Sequence, residues 1–393
     1  MEGQVGRERE LLVGRKRSPE AAESSPSVDF SRSEYLKDPD VDGFVNWLKD
    51  LVWGNGEFYH WYAIKNDPQK GQKWRLFNGG ADRWEVDSLR EAYEKYYWPL
   101  KGMFPGYHDN KKELDRIAKA MKTRPASFLP ADMDAFLWYM EEKHSNGISL
   151  VGTTHKALDM LRDGTLNANL AGLVGRVIGG VAAISVSGRP RTREESLLIS
   201  CLNVLRWGGV LRGGSEKWLW QRYFARGLVA ELDHAVNLLT GSSERDVKND
   251  FHKRLLMNAG MTKVYSLYSG GDSIIYDGRV GAALGLLVRR YLDVVKKPKV
   301  PDKLHFRWGA ERISGESKLG KKKRNPSCGR WTFRSLGQSS PEHAVCNLRA
   351  NWIMQEIAGY QQQMWGISGH HEKMRALEAA LFMIGYDVST ACP

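Results

Sequence analysis

A single acid stands where an apolar run gives way to a helix, in Ser273-Ile-Ile-Tyr276-Asp277-Gly-Arg-Val280. Val280, Leu284, Leu287, Val288 and Tyr291 then recur at helical spacing. Asp277 therefore falls at a helix N-terminus, where a carboxylate accepts free backbone amides and feels the positive end of the helix dipole. Capping alone accounts for such a residue. The chemical alternative is a fixed carboxylate that stabilises a developing positive charge and orients or deprotonates water. Asp272 competes for that role, but Gly270-Gly271-Asp272-Ser273 reads as a turn.

The elements that must position Asp277 lie just upstream. Asp246 to Met257 reads as a helix, Asn258-Ala259-Gly260-Met261 as a tight turn, and Thr262 to Ser269 as a second short helix. Over Asp246 to Tyr291 this order resembles the helix-hairpin-helix DNA glycosylases, which excise damaged or modified bases. Tyr276-Asp277-Gly278-Arg279-Val280 is similar to that family's catalytic segment of the Leu-Asp-Gly-Asn-Val type. The turn departs from the family's Leu-Pro-Gly-Val-Gly, having one glycine and no proline.

The resemblance implies that Asp277 is catalytic and that the turn, with Asn258, Gly260, Thr262 and Lys263, holds a DNA phosphate. Bifunctional members use an upstream lysine as a Schiff-base nucleophile. At the family's spacing that position falls on Asn258 or Ala259, and Lys263 is left as a surface or phosphate contact. A monofunctional enzyme is implied, one that flips out a base and leaves an abasic site with no metal or cofactor. Some family members attack hypermodified phage DNA, so antiviral defence stands beside DNA repair as an expected role.

Composition agrees with a polyanionic partner. The 393 residues carry a formal net charge of +12 and are 42% hydrophobic, enough for two or three domains with an ample core. The basic stretch from Lys296 to Arg334 is densest at Lys318, Lys321, Lys322, Lys323 and Arg324, as phosphate contacts would be. A solvated loop explains such a run equally well. Aromatic residues interleave with these cations, which favours double-stranded DNA over a membrane surface. Core packing accounts for most of the 14 tryptophans. The candidates for stacking on an extruded base are Trp207, Tyr276 and Trp308, with Trp218, Trp220 and Trp365 competing.

Other classes find less support. The cysteines at 201, 328, 346 and 392 show no Cys-x-x-Cys pairing and read as reduced thiols. His370 and His371 have no visible third metal ligand. Glu231 and Asp233 keep a metal-dependent nuclease open, and a DNA-binding protein without catalysis or a helical scaffold are further alternatives. Residues 1–33 lack the apolar core of a secretory signal, and Leu173 to Gly188 contains Arg176 and four glycines, too polar for a span. A soluble monomer is expected, cytoplasmic, nucleoid-associated or nuclear.

The expected fold is mostly α. A disordered tail (1–35), which includes the basic Gly14 to Pro19, precedes an N-terminal helical region (36–190). A helix-hairpin-helix catalytic core (191–295), the basic connector (296–340) and C-terminal helices packing on the core (341–393) follow. Helices are expected at Val41–Trp53, Val86–Tyr97, Lys111–Met121, Pro130–Lys143, Thr154–Arg162, Glu194–Trp207, Glu216–Leu239, His343–Gln361 and His370–Gly385. Phe58, His60 and Tyr62 alternate and are expected to pair with Trp74–Phe77 as a small hairpin.

Overall fold

The computed structural model describes residues 31–63, 83–96, 214–241, 243–310 and 323–391, with scattered positions between 194 and 210. Among these the chain is mostly helical, with one two-stranded antiparallel sheet. Helix α1 (Arg32–Leu36) starts from a reciprocal cap between Ser31 and Glu34. Helix α2 (Pro39–Trp53) starts where Asp38 accepts the amides of Asp40 and Val41, with Pro39 in the first turn, and ends at Gly54 with φ 79°. Strands β1 (His60–Ala63) and β2 (Arg83–Val86) pair with His60 opposite Val86. Helix α3 (Leu89–Glu94) follows, capped by Ser88.

The second half contributes α4 (Gly214–Phe224), α5 (Leu228–Gly241), α6 (Glu244–Lys253), α7 (Met261–Tyr268), α8 (Gly278–Val294), α9 (Ser340–Ala358) and α10 (His370–Ile384). Helix α9 is buried nearly all round, as a central helix is, and its buried polar side chains include His343, Asn347 and Asn351. It packs against α1, α2, α5, α6 and α10. Helix α10 also packs on α3 and α8. The C-terminal helices thus lie against both the N-terminal elements and the α5–α8 region. The head of α8 is enclosed by α7, α9 and α10.

Three expectations are corrected. The helix anticipated over Glu216–Leu239 is two helices, because Arg226 adopts a left-handed φ of 58° and Gly227 follows it. Among the described residues β1 pairs with Arg83–Val86, so Val86 ends a strand instead of opening a helix. Cys328 is disulfide-bonded, whereas Cys201 and Cys346 are free and buried. The helices expected at Lys111–Met121, Pro130–Lys143 and Thr154–Arg162, the segment Trp74–Phe77 and the tail lie outside the described residues. No described helix is long and apolar enough to cross a membrane.

Candidate active site

The segment leading to Asp277 belongs to no sheet and Ser273–Tyr276 is buried, so its backbone groups need partners from elsewhere. Side chains supply them. The Ser273 amide donates to Ser269 Oγ, and its carbonyl accepts from Ser266 Oγ and Arg375. The Ile274 amide donates to Asn351 Oδ1 at 2.8 Å and its carbonyl accepts from Asn347 Nδ2 at 3.1 Å. The Ile275 amide donates to Glu378 Oε2 at 2.7 Å. The Tyr276 amide donates to Thr262 Oγ1 at 2.8 Å, and His343 Nε2 meets the Tyr276 carbonyl at 2.6 Å. Helices α7, α9 and α10 therefore grip the run that ends at Asp277.

Asp277 is the N-cap of α8. Its Oδ1 accepts the amides of Arg279 at 2.9 Å and Val280 at 3.3 Å. The next turn lies under the loop at 307–309. A Cβ on Gly281 would come within 2.1 Å of the Arg307 carbonyl oxygen, and one on Gly278 within 2.7 Å of the Gly309 Cα. Glycine at both positions is what lets the loop close over the helix head.

The second oxygen, Oδ2, faces the Lys263 amine at 3.6 Å, with only 6% of the Lys263 and 13% of the Asp277 side chain exposed. The amine also donates to the Ala259 carbonyl at 2.9 Å. Burial by itself raises the Asp277 carboxyl, but the charges of Lys263, Arg279 and Arg324 and the Arg279 amide outweigh it. The group is held below its ordinary value and is charged at neutral pH.

Glu378 on α10 is a second carboxylate at this site. Its Oε2 takes the Ile275 amide and the Arg375 guanidinium, and its side chain is 13% exposed. Burial and the neighbouring Asp277 charge raise its carboxyl above the ordinary value, against the pull of Arg375, the Ile275 amide and Lys263. One turn further along α10, the Phe382 ring lies under the Arg279 guanidinium at 4.3 Å and meets Tyr96 edge-on at 5.8 Å. Two carboxylates of opposite tendency and one buried amine therefore share one place.

Other expected contacts fall differently. Asn258 turns inward: its Oδ1 accepts the amides of Gly260 at 2.8 Å and Met261 at 3.0 Å and the Ser215 hydroxyl at 2.8 Å. The turn amides expected on a DNA phosphate are thus satisfied from within, and Gly260 is buried against Ser215 and Leu205. Thr262 is 1% exposed and bonded to Tyr276 and Asn347, and Lys263 is 5% exposed, so neither is a surface contact. Tyr276 is fully buried with its hydroxyl on the Arg307 carbonyl, which leaves no ring face for a base.

The half-buried Trp308 donates Nε1 to the Phe333 carbonyl at 3.1 Å. Trp218 and Trp220 are buried, and Trp365 Nε1 donates to the Val52 carbonyl. Lys323 is bridged to the buried Asp387 at 3.1 Å, whereas the Arg324 charge acts on Asp277. Lys318, Lys321, Lys322 and Trp207 lie outside the described residues. Glu231 pairs with Arg254 and Arg222, and Asp233 accepts the Tyr268 hydroxyl, so these acids serve the packing of α5. Asp272 faces His371 and not the head of α8. Among the described residues no group of three or more His, Cys, Asp or Glu side chains is placed to hold a metal ion.

Reading the sequence for its own motif missed Glu378, which reaches Asp277 only through tertiary packing. No family model matches the chain, and neither a curated protein nor a solved structure is significantly similar to it.

Proposed function

We propose that the chain is a DNA glycosylase that takes a modified base out of a duplex and breaks its N-glycosidic bond. The observation that carries this reading is the buried Lys263–Asp277 pair at the head of α8. Bond breaking leaves a sugar with oxocarbenium character, and a carboxylate kept charged beside it stabilises that cation. The order α6, turn, α7, extended segment, Asp277, α8 supports a helix-hairpin-helix catalytic core. The net charge of +12 supports DNA as the partner.

The position of Lys263 favours a lysine over water as the nucleophile. Its amine must give up a proton before attack; the Asp277 oxygen 3.6 Å away can relay that proton to solvent and is a carboxylate again when the sugar cation develops. The amine then bonds to the sugar C1′ as the base departs, giving an imine once the sugar ring opens. This differs from the monofunctional course that sequence spacing implies. A role in removing hypermodified phage bases belongs to the same proposal and rests on the resemblance alone.

The experiment is incubation of the full chain with duplexes bearing oxidised, alkylated, deaminated or glucosylated bases, scoring free base. Release of a base that requires both Asp277 and Lys263 is the expected result. No release from any duplex would overturn the reading.

A further inference from the structure

We propose that Glu378 is the proton donor to the departing base. This rests on the base-excision reading above and adds to it a group on α10, outside the segment on which the family resemblance rests. Cleaving an N-glycosidic bond sends the electron pair to the base nitrogen. A neutral base leaves as an anion unless a proton reaches it as the bond breaks. Asp277 is unsuited to that task because three cations keep it charged and its two oxygens are directed to the α8 amides and to Lys263.

Glu378 has the opposite setting. Oε2 is fixed by the Ile275 amide at 2.7 Å and by Arg375 at 2.5 Å, while Oε1 makes no hydrogen bond among the described residues. The carboxyl is thus aimed, with one oxygen left over, two residues along the backbone from Asp277. The groups facing it are Arg375 on α10, Asp277 at the head of α8, Lys263 on α7 and the Tyr96 phenol beyond α3. A pair of carboxyls whose surroundings drive them apart divides acid and base roles between them. In the step proposed, the C1′–N bond breaks and its electrons go to the base. The Glu378 proton moves to a base ring nitrogen, and Lys263 bonds to C1′. Glu378, left as a carboxylate, is recharged from solvent.

The test uses the full chain and its Glu378→Gln variant, which keeps an acceptor for the Ile275 amide. Single-turnover base release is followed against pH on duplexes carrying 8-oxoguanine, uracil or N7-methylguanine. The last base is already cationic and leaves neutral without a proton. The variant should lose about a hundredfold on whichever neutral base is released. It should also lose the alkaline limb of the pH profile and keep its rate on N7-methylguanine.

Equal losses on neutral and cationic bases would mean that Glu378 only positions the Ile275–Asp277 segment, and the proposal would fail. An unchanged pH profile would overturn it as well, including where N7-methylguanine is not a substrate. Either result leaves the glycosylase reading standing, whereas an inactive wild-type chain removes both. Carbon-13 NMR titration of labelled glutamates, assigned with the same variant, gives a readout that needs no activity. The Glu378 signal should titrate above the other glutamates and move down in Asp277→Asn, and an ordinary, unmoved titration would contradict the donor role.

Discussion

Lys263 Nζ and Asp277 Oδ2 lie 3.6 Å apart, although a helix, a glycine loop and an extended segment separate the two residues in sequence. The pair is nearly closed to solvent, so its Coulomb energy is little screened and its desolvation cost is large. A buried ion pair is a weak device for stability and a strong one for function, since it poises a charge and an amine at a defined place. The cost is tolerated because Asp277 also caps α8 and Lys263 also bonds the Ala259 carbonyl.

Replacing Asp277 by Asn keeps an oxygen for the Arg279 and Val280 amides and removes the charge. Base release should fall by on the order of 10² or more. Lys263 would lose its counter-ion, so a stability loss of about 1–3 kcal/mol is also expected, read from urea unfolding. Asp277 is held below its ordinary 3.8, so its share of stability is present above that value and disappears as pH falls through the lower, folded one. The Asn variant should lack this acid step. Full activity in that variant would remove Asp277 from the chemistry.

Borohydride should trap a covalent protein–DNA adduct with the wild-type chain and none with Lys263→Ala. Lys263→Arg keeps the charge beside Asp277 but supplies no amine for an imine, so it should preserve more stability than Ala and still fail to trap. Base release with an intact strand and no adduct would return the reaction to water directed by Asp277.

Asn258→Ala would strip one acceptor from two buried-turn amides and the Ser215 hydroxyl. A loss of about 1–2 kcal/mol is expected, as for removal of a helix cap. No change in stability would mean that water replaces the carboxamide freely, and the turn would again be open to a phosphate.

The two ends of the basic run should behave differently. Ala at Lys321 and Lys322 should weaken binding to modified and unmodified duplexes alike, lowering the slope of log K against log[salt] by roughly 0.9 per lost phosphate contact. Lys323→Ala should leave that slope in place and lower the melting temperature, because Lys323 is tied to a buried Asp387. A slope change from Lys323 alone would show that this bridge opens on DNA.

Much of the site's frame was legible because it is local. The switch from an apolar run to helical periodicity placed Asp277 at the head of α8, and the same pattern found α7 and α10 to within a residue at most of their ends. Direction was not legible. Periodicity cannot say that Asn258 folds back on its own turn, or that Lys263 points inward to Asp277 instead of outward to a phosphate. Glu378 was missed for a different reason: its tie to Ile275 is a contact between distant segments. Sequence alone offers Tyr276 as a pocket wall, and burial against Phe306 and His343 makes it core.

Two histidines should set the acid limit of the fold. Burial holds the His60 and His343 rings at a pKa of about 4, where the ordinary value is 6.5. Both lie against backbone carbonyls, those of Ile384 and Tyr276. The folded value is the lower one, so the unfolded chain binds these protons first. Their share of stability is whole above pH 6.5 and is lost as pH falls toward 4, at about 1.4 kcal/mol per pH unit for each ring. Glu378 works in the opposite sense, since its raised carboxyl favours the fold as pH falls. His305 and His370, whose rings burial also holds below the ordinary value, add to the acid limb, and Glu378 offsets part of it. His343→Gln keeps a donor for the Tyr276 carbonyl and cannot titrate. Denaturant unfolding between pH 7 and 4 should show its slope reduced by about one proton, and adding His60→Gln should reduce it by about one more. An acid limb identical in wild type and His343→Gln would mean that this ring is protonated in the native state, and that water or a carboxylate reaches it.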